Sequence, residues 1–426
     1  MLLSNIPGYF KARRDSLMAA NPGAVFLFPS CEELVRNPDV TFPFRQESNF
    51  FYLTGFEEPE SFLVLSQGKT ILFVRHRDPE KEMWEGARYG VEGARRVFGA
   101  DEAFTSDQLE KKLPELLKGA DRIFYRMGMS ESGDRRVLGS IARPGKRLPP
   151  IADPGDQLGE MRLFKKPEEI ADLRRACRIT ALAHKTAMQE AKPGMNEFEI
   201  EALVDYVLRK NGCQRVGYGS IIAGGVNAAC LHYRSNNETL RDGELLLIDA
   251  GGEYNYYTSD ITRTFPVGRQ FTAGQAKLYD LVLKAQKGAI ALAKPGATLP
   301  QLHRHVAETL IAGMLSLGLA TGSVEEILKA GGLRRFYPHS TSHWLGMDVH
   351  DVGLYQKNGE PRPLEPGMCF TIEPGFYVQP GDREAPEEFR DIGIRIEDDI
   401  LVTAGGHENL TIDAPKEREE IEALKR

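Results

Sequence analysis

The chain is poor in cysteine and has no closely spaced cysteine pair. Its 426 residues contain five cysteines, Cys31, Cys177, Cys213, Cys230 and Cys369. No two of them form the C-x-x-C spacing typical of redox or metal motifs, and an odd number argues against a complete disulfide framework. We therefore expect free, buried thiols in a reducing compartment, which predicts a cytoplasmic protein.

Long hydrophobic runs and excess positive charge are also missing. No uninterrupted apolar stretch approaches the roughly 20 residues that a membrane helix needs. Lys11, Arg13 and Arg14 interrupt the first segment before it could resemble a secretory signal. The net charge is −7, which disfavours nucleic acid and anionic membrane surfaces as partners. The 41% hydrophobic and 27% charged content is that of an ordinary globular chain.

The first part of the chain, residues 1–155, has an α/β pattern. Short apolar strands are predicted at 24–28, 62–65 and 71–74. A helix is predicted from Ser106 to Leu117, with Ser106 as a possible cap and Pro114 as an interruption. The Pro-, Gly- and Arg-rich stretch 143–150 breaks all periodicity, and we interpret it as the approach to a linker.

The second part, residues 156–426, contains an internal repeat. A long helix begins near Pro167, which suits a first helical turn. Two segments, 191–195 and 293–297, both read Ala-Lys-Pro-Gly, and each lies between two amphipathic helices. The segments 240–251 and 364–375 also match, and place Asp249 and Glu373 at equivalent points. Two similar halves predict a domain with pseudo-two-fold symmetry.

Carboxylates stand at the ends of apolar strands in both halves. Asp249 follows the apolar run 245–248, Glu373 follows 369–372, and Glu397 lies in a predicted strand from Ile394 to Ile400. A buried charge of this kind is costly unless it is paired or bound to metal. Asp260 follows a Gly- and Tyr-rich segment that could form a hairpin returning it beside Asp249, and adjacent carboxylates repel unless a cation lies between them.

A cluster of histidines supplies the remaining candidate ligand. His339, His343 and His350 lie in one segment of a chain that has only nine histidines. If the segment is a strand, His339 and His343 share a face and His350 points to the other. We expect one of these three histidines to bind metal and the other two to face the substrate. The alternative is that they are ordinary core or loop histidines. Arg395 is expected to orient a carboxylate ligand or to form an ordinary buried salt bridge.

The four carboxylates and one imidazole predict a site for two divalent cations. Two metals that share a water make hydroxide available near neutral pH and polarise a carbonyl. The implied reaction is hydrolysis of an amide or ester. We expect Glu373 to shuttle a proton as well as to bind metal.

At this point the motifs resemble the aminopeptidase P family of pita-bread metallopeptidases. The segment His339–Asp351 is similar to the proline-peptidase signature of that fold, and 42–56 is similar to the N-terminal domain of the family. The resemblance runs almost end to end. It implies an α+β chain with an α/β N-terminal domain at 1–155 and a catalytic pita-bread domain with a pseudo-two-fold repeat at 156–426.

The resemblance also implies roles for individual residues. Asp249 and Asp260 would hold one metal, Asp260 and Glu397 would bridge, and His343 and Glu373 would complete the second. By the same resemblance, His232 would be an active-site histidine near the scissile bond, and His350 would contact the substrate carbonyl. His339 and Tyr355 would line a pocket for the prolyl ring, with Arg395 and Tyr377 as a pair behind the ligands. Trp84 would reach the substrate site of a neighbouring subunit.

The activity implied by the resemblance is that of an Xaa-Pro aminopeptidase. Such an enzyme removes the residue before a penultimate proline by attack of a metal-bridging hydroxide. Mn²⁺ is the implied metal, peptides with proline second are the implied substrates, and a homodimer or homotetramer is the implied assembly. A prolidase that cleaves only Xaa-Pro dipeptides is the closest alternative. A non-catalytic module that binds peptides or partner proteins is a third.

Overall fold

The computed structural model describes residues 7–141 and 149–425. Most of the predicted linker approach at 143–150 therefore lies outside the described residues. The chain divides into two compact units, Met1–Leu158 and Gly159–Arg426. The division falls inside a helix, Gly155–Leu163, and the functional assignment of 1–155 and 156–426 stays a prediction.

The first unit is built on a mixed six-stranded sheet. Its helices are α1 (Pro7–Ala19), α2 (Ser48–Thr54), α3 (Pro79–Glu85), α4 (Gly90–Arg96), α5 (Leu109–Leu116) and α6 (Glu131–Ile141). Its strands are β1 (Ala24–Pro29), β2 (Val35–Asn37), β3 (Val40–Thr41), β4 (Phe62–Ser66), β5 (Lys69–Val74), β6 (Glu102–Thr105), β7 (Arg122–Phe124) and β8 (Ile151–Ala152). The sheet order is β6-β5-β4-β1-β7-β8, and β2 pairs with β3 separately.

The three predicted apolar strands of this unit are confirmed as β1, β4 and β5. Each is buried along most of its length, because its apolar side chains belong to the hydrophobic core of this unit. The predicted cap at Ser106 is wrong. Ser106–Gln108 forms a short 3-10 turn, and the helix begins at Leu109. Pro114 lies inside this two-turn helix without interrupting it, since a proline there removes only one main-chain hydrogen bond.

The second unit combines long helices with short antiparallel sheets. Its helices are α7 (Gly155–Leu163, spanning the division), α8 (Pro167–Glu190), α9 (Glu197–Lys210), α10 (Ala273–Leu292), α11 (Leu299–Ser316), α12 (Val324–Ala330) and α13 (Arg418–Leu424). Short 3-10 helices occur at Gly225–Ala229, Gly332–Arg335 and Glu387–Phe389. The predicted helix start at Pro167 is confirmed, and this proline occupies the first turn.

Thirteen short strands complete the unit as described. They are β9 (Arg215–Val216), β10 (Ile221–Gly224), β11 (Leu245–Ala250), β12 (Gly252–Tyr254), β13 (Tyr257–Thr258), β14 (Ile261–Pro266), β15 (Gln356–Lys357), β16 (Glu360–Pro361), β17 (Cys369–Ile372), β18 (Gly375–Tyr377), β19 (Gly393–Arg395), β20 (Asp398–Thr403) and β21 (Gly406–Asn409). The two largest antiparallel groups that carry candidate ligands are β10-β11-β14 and β17-β20-β21.

The internal repeat is visible in equivalent backbone contacts. The N–H of Gly194 donates to the carbonyl of Leu240 at 2.9 Å, and the N–H of Gly296 donates to the carbonyl of Leu364 at 2.9 Å. In each half, the turn between two helices is thereby tied to the segment that leads into the ligand-bearing strand. The helix pairs α8–α9 and α10–α11 cover these strands, and their apolar faces share one continuous core. The predicted pseudo-two-fold pita-bread domain is confirmed.

All five cysteines are unpaired. The expectation that all are buried is wrong, because Cys230 is exposed and Cys31 is half-buried. None of the helices in the described part of the chain combines the length and the apolar character that a membrane crossing requires.

Candidate metal centre

Asp249 and Asp260 are brought together by the predicted hairpin. Strands β11 and β14 pair antiparallel, with Asp249 opposite Thr262. At the base of the hairpin, a Cβ on Gly251 would lie 1.8 Å from the carbonyl oxygen of Ser259, so only glycine lets the two strands approach here. The hydroxyl of Tyr218 lies 2.7 Å from Oδ1 of Asp249 and 2.5 Å from Oδ1 of Asp260. One hydroxyl proton thus serves two carboxylates.

Glu397 reaches the same point from a break between two strands. The predicted single strand from Ile394 to Ile400 is wrong. β19 ends at Arg395 and pairs with β18, whereas β20 begins at Asp398 and pairs with β17. The chain changes sheet between them, and the N–H of Glu397 donates to the carbonyl of Thr262 at 3.1 Å. Because Glu397 belongs to neither ladder, its side chain is aimed at the hairpin carboxylates, where the hydroxyl of Thr262 donates to it at 2.6 Å.

A candidate cation site lies where three of the predicted ligands converge. Asp260, His343 and Glu397 each offer one ligand atom, and these atoms all lie within 4.8 Å of one another in a buried position. Nε2 of His343 is 3.3 Å from Oδ2 of Asp260 and 3.6 Å from Oε1 of Glu373. Asp249 borders the group through the shared Tyr218 contact. The five predicted ligands, from five separate segments, therefore meet at one place.

The electrostatics of these residues fit positive charge. Burial raises the pKa of Glu373 to about 7, and the neighbouring Asp260 and Asp249 carboxylates add to the rise. Burial and the same carboxylates raise the pKa of Glu397 well above its usual range. Burial opposes the charge of His343, yet its hydrogen bond to Asp260 and the nearby Glu373 raise its pKa to about 9. Four buried carboxylates repel one another, and divalent cations would relieve that repulsion.

Arg395 and Tyr377 form the predicted pair behind the ligands. Nη2 of Arg395 donates to Oδ2 of Asp249 at 2.5 Å, and Nη1 donates to the hydroxyl of Tyr377 at 2.9 Å. The same tyrosine oxygen lies 2.9 Å from Nε2 of His339. This chain of contacts fixes the orientation of Asp249 and joins it to His339, whose Nδ1 is 3.5 Å from Oε2 of Glu373.

His343 and His350 lie on the same side of the site, contrary to the strand argument. Their rings stack with centroids 3.9 Å apart and planes 18° from parallel. The segment is not a strand; it makes only an isolated bridge from Trp344 to Phe370. In an irregular loop, the period of two that separates strand faces does not apply. Burial and the nearby His343 ring lower the pKa of His350, which favours its neutral form.

The loop that carries His350 is anchored by buried ions. Asp351 accepts hydrogen bonds from Nη2 of Arg162 at 2.5 Å and from Nζ of Lys165 at 3.1 Å, and its side chain is 1% exposed. Arg162 also donates to Asp348 at 2.7 Å. A Cβ on Gly346 would lie 2.0 Å from Oδ2 of Asp351, so this turn of the loop requires glycine. The residues on either side of His350 are thus held firmly.

A cavity of about 750 Å³ gathers almost all the predicted site residues. They are His232, Asp249, Asp260, His339, His343, His350, Tyr355, Glu373, Arg395 and Glu397. Trp84 lies in the first unit, on α3, none of whose residues is buried, and it is 87% exposed.

Several residues that contact the ligands were missed in the sequence. Tyr218 carries no local signal, because it is an isolated hydroxyl in its segment. Thr371, which donates to Oε1 of Glu373 at 3.4 Å, lies two residues before that ligand, the spacing that places side chains on one strand face, and could have been found. Thr262 could have been found, since it lies two residues after Asp260 and the period of a strand places both on one face. His303 also lines the cavity, from a helix that the sequence argument connected only with the repeat.

Comparison with known proteins agrees with this geometry. The model of metallopeptidase family M24 matches residues 171–404, and the model of the aminopeptidase P N-terminal domain matches residues 10–125. The chain therefore belongs to metallopeptidase family M24, a family that implies divalent metal binding. It is 42% identical to the Xaa-Pro aminopeptidase of Escherichia coli K12, with 97% of each chain covered, and 36% identical to human Xaa-Pro aminopeptidase 3, with 91% of this chain and 78% of the relative covered.

Solved structures extend the similarity to the fold. The aminopeptidase PepP of Pseudomonas aeruginosa superposes with a TM-score of 0.96 at 42% identity, covering 98% of both chains. Zinc-substituted E. coli aminopeptidase P in complex with product gives 0.95 at 41% identity, again covering 98% of both. Within family M24 the chain is thus a metal-dependent aminopeptidase of the aminopeptidase P type, and these relatives favour that activity over a prolidase.

Proposed function

We propose that the protein hydrolyses the bond between an N-terminal residue and a penultimate proline, using two divalent cations. The observation that carries the proposal is the convergence of four carboxylates and one imidazole in one cavity. In this proposal Asp249, Asp260 and Glu397 would hold one cation, and Asp260, Glu397, His343 and Glu373 would hold the other. When bound, the cations supply hydroxide near neutral pH and polarise the substrate carbonyl.

The protein's own residues would move the proton and hold the substrate. Glu373 takes the proton of the attacking water and returns it to the proline nitrogen, which must become a secondary amine as the bond breaks. His350 and His232 line the cavity and would contact the substrate around the scissile carbonyl.

The prolyl ring would lie between His339 and Tyr355. The His339 ring packs edge-on against Tyr337 at 4.7 Å, and the Tyr355 ring stacks on Trp344 at 5.3 Å. Both rings are therefore held in place by aromatic neighbours, which gives a saturated ring two fixed apolar walls. A residue that lacks this ring would leave the walls without contact, which favours proline at the second position.

Three finer assignments belong to the same proposal. Mn²⁺ is the proposed metal, although carboxylate and imidazole ligands also accept Co²⁺ and Zn²⁺. A homodimer or homotetramer is proposed because the family resemblance implies that Trp84, which is exposed here, contacts the substrate site of a neighbouring subunit. A cytoplasmic location is proposed from the five unpaired cysteines.

A hydrolysis panel tests the proposal. The protein is assayed with added Mn²⁺ on Xaa-Pro, Xaa-Pro-Yaa and Xaa-Ala-Yaa peptides. We expect cleavage of Xaa-Pro-Yaa, little or none of Xaa-Ala-Yaa, and loss of activity in Asp260→Asn and Glu397→Gln variants whose circular dichroism is unchanged. Activity confined to Xaa-Pro dipeptides would show a prolidase, and full activity of metal-stripped Asp260→Asn would overturn the metal mechanism.

A further inference from the structure

The first turn of α11 forms a wall of the cavity that the proposed mechanism does not use. Leu299 and His303 both line the cavity, four residues apart on one side of the helix, with Pro300 beside them. A volume of about 750 Å³ lies well inside the range that encloses ligands larger than two residues. This wall therefore has room to contact a substrate beyond its N-terminal residue and its proline.

A directed chain of hydrogen bonds sets the protonation of the His303 ring. Buried Tyr337 has, among the described residues, one hydroxyl contact, with Oγ1 of Thr341 at 2.8 Å. We assign Tyr337 as the donor in it, since a buried hydroxyl proton left without an acceptor is costly. The proton of Thr341 is then left for Nδ1 of His303, 2.8 Å away. A neutral imidazole that accepts at Nδ1 carries its proton on Nε2, as a donor.

The neutral form of His303 is consistent with its surroundings. Burial lowers the pKa of this ring, although the side chain is still exposed to solvent at the edge of the cavity. Within the described residues, the contact with Thr341 is the only hydrogen bond of the ring. Nε2–H thus remains available to a ligand in the cavity.

The position of His303 indicates which part of a substrate it would meet. The Tyr337 ring lies between His303, at 5.8 Å, and His339, at 4.7 Å. His339, the proposed wall of the prolyl pocket, is half-buried, whereas His303 is exposed, so His303 lies nearer to solvent. An aminopeptidase holds a single residue before the scissile bond, whereas the leaving peptide must continue outward. The open side of the cavity is therefore the path of the leaving peptide.

We propose that His303 is a substrate-binding residue for the leaving peptide, donating from Nε2 to the main-chain carbonyl of the residue that follows proline. This inference rests on the proposed function and adds to it a contact that forms only with peptides longer than two residues. It gives tripeptides and longer substrates a hydrogen bond that an Xaa-Pro dipeptide cannot make.

Substitutions at His303 and a matched control test the inference. His303→Leu removes the donor and keeps much of the bulk, His303→Gln keeps a donor, and Thr341→Val removes the bond that fixes the ring. His305→Leu is the control, because His305 lies on the same helix but packs over Gly288 and is not among the lining residues. All variants are compared by thermal unfolding before kinetics are measured.

The readouts are KM for Xaa-Pro-Yaa peptides and competitive inhibition by Pro-Yaa, both with an amidated C-terminus so that the acceptor is a neutral carbonyl, and competitive inhibition by free proline. We expect His303→Leu to raise KM and the Pro-Yaa inhibition constant roughly three- to tenfold, the effect of one lost neutral hydrogen bond. Its kcat and its inhibition by proline should stay within about twofold of the parent, because a contact made equally in the ground state and the transition state affects KM and not kcat. His303→Gln should recover part of the loss, Thr341→Val should show part of it, and His305→Leu should show none.

The outcomes separate this inference from the proposed function. A parent protein that does not cleave Xaa-Pro-Yaa peptides overturns the proposed function itself. If the parent cleaves them but His303→Leu leaves KM and the Pro-Yaa inhibition constant unchanged, only the His303 assignment fails. It also fails if inhibition by free proline weakens as much as inhibition by Pro-Yaa, because the contact would then be with proline rather than with the residue after it.

Discussion

Removing the divalent cations should make the stability of the protein fall as the pH rises. The pKa of Glu373 is about 7 in the fold, against an ordinary 4.5, because the side chain is buried beside other carboxylates. Below pH 4.5 the carboxyl is protonated in both the folded and the unfolded chain, so it contributes no penalty. Between pH 4.5 and 7 the unfolded chain releases the proton first, and this release favours unfolding.

The size of the effect follows from the same values. At about 1.4 kcal/mol per pH unit, a carboxyl raised from 4.5 to about 7 lowers the free energy of unfolding by about 3 kcal/mol once the pH exceeds 7. His343, whose pKa rises from 6.5 to about 9, acts in the same direction: its contribution is complete below pH 6.5 and is lost as the pH rises through 9. The two groups are neighbours, so their contributions are not summed.

Thermal unfolding with EDTA or with Mn²⁺ at pH 5.5, 7 and 8.5 measures this loss of stability with rising pH. The Tm of the stripped protein should fall by roughly 4–8 °C more than that of the loaded protein between pH 5.5 and 8.5, because about 2 kcal/mol of the Glu373 penalty develops in that interval, at about 2–4 °C per kcal/mol. Glu373→Gln, which cannot ionise, should reduce the difference. A stripped protein whose Tm follows the loaded protein at all three pH values would refute the reasoning, as would a Glu373→Gln variant with the same pH dependence as the parent.

Three further substitutions have defined outcomes. Arg395→Met removes the guanidinium that donates to Asp249 and should weaken metal binding roughly 10–100-fold, measured by calorimetry. Unchanged affinity would show that Arg395 does not orient Asp249. Tyr218→Phe removes one donor from two carboxylates and should weaken metal binding by less than about tenfold in the same titration, and a larger loss would contradict a role limited to one hydrogen bond. Asp351→Asn leaves buried Arg162 underpaired and should lower the free energy of unfolding by about 3–5 kcal/mol in denaturant titrations, whereas a surface-like change below about 0.5 kcal/mol would contradict its burial.

The ligand residues could be predicted because their signals are local. A charge directly after an apolar strand is unusual wherever the strand ends up, and Asp249 and Glu373 both show it. The repeat added a second, independent signal, since similar segments fold into similar units. The hairpin between Asp249 and Asp260 followed from its glycines. These features depend on neighbours in sequence, so the sequence contains them.

The parts that could not be predicted depend on distant or irregular contacts. The stack of His343 on His350 arises in a loop without a repeating geometry, so no period could place the two rings together. Arg162 and Asp351 are 189 positions apart, and neither residue has a neighbour that indicates the other. The sequence predicts one continuous strand from Ile394 to Ile400 that contains Glu397, whereas the chain changes sheet at that point.

The equivalence of the two halves has a consequence for how the site fills with metal. The turns that lead into the ligand-bearing strands make equivalent contacts in the two halves, but the donors that the halves present differ. The first half offers carboxylate oxygens, and the second adds the imidazole of His343. Under the proposed division of ligands, one position is hard and anionic while the other is softer. A symmetric frame would thus hold two cations of unequal affinity, and activity would rise with metal concentration in two steps.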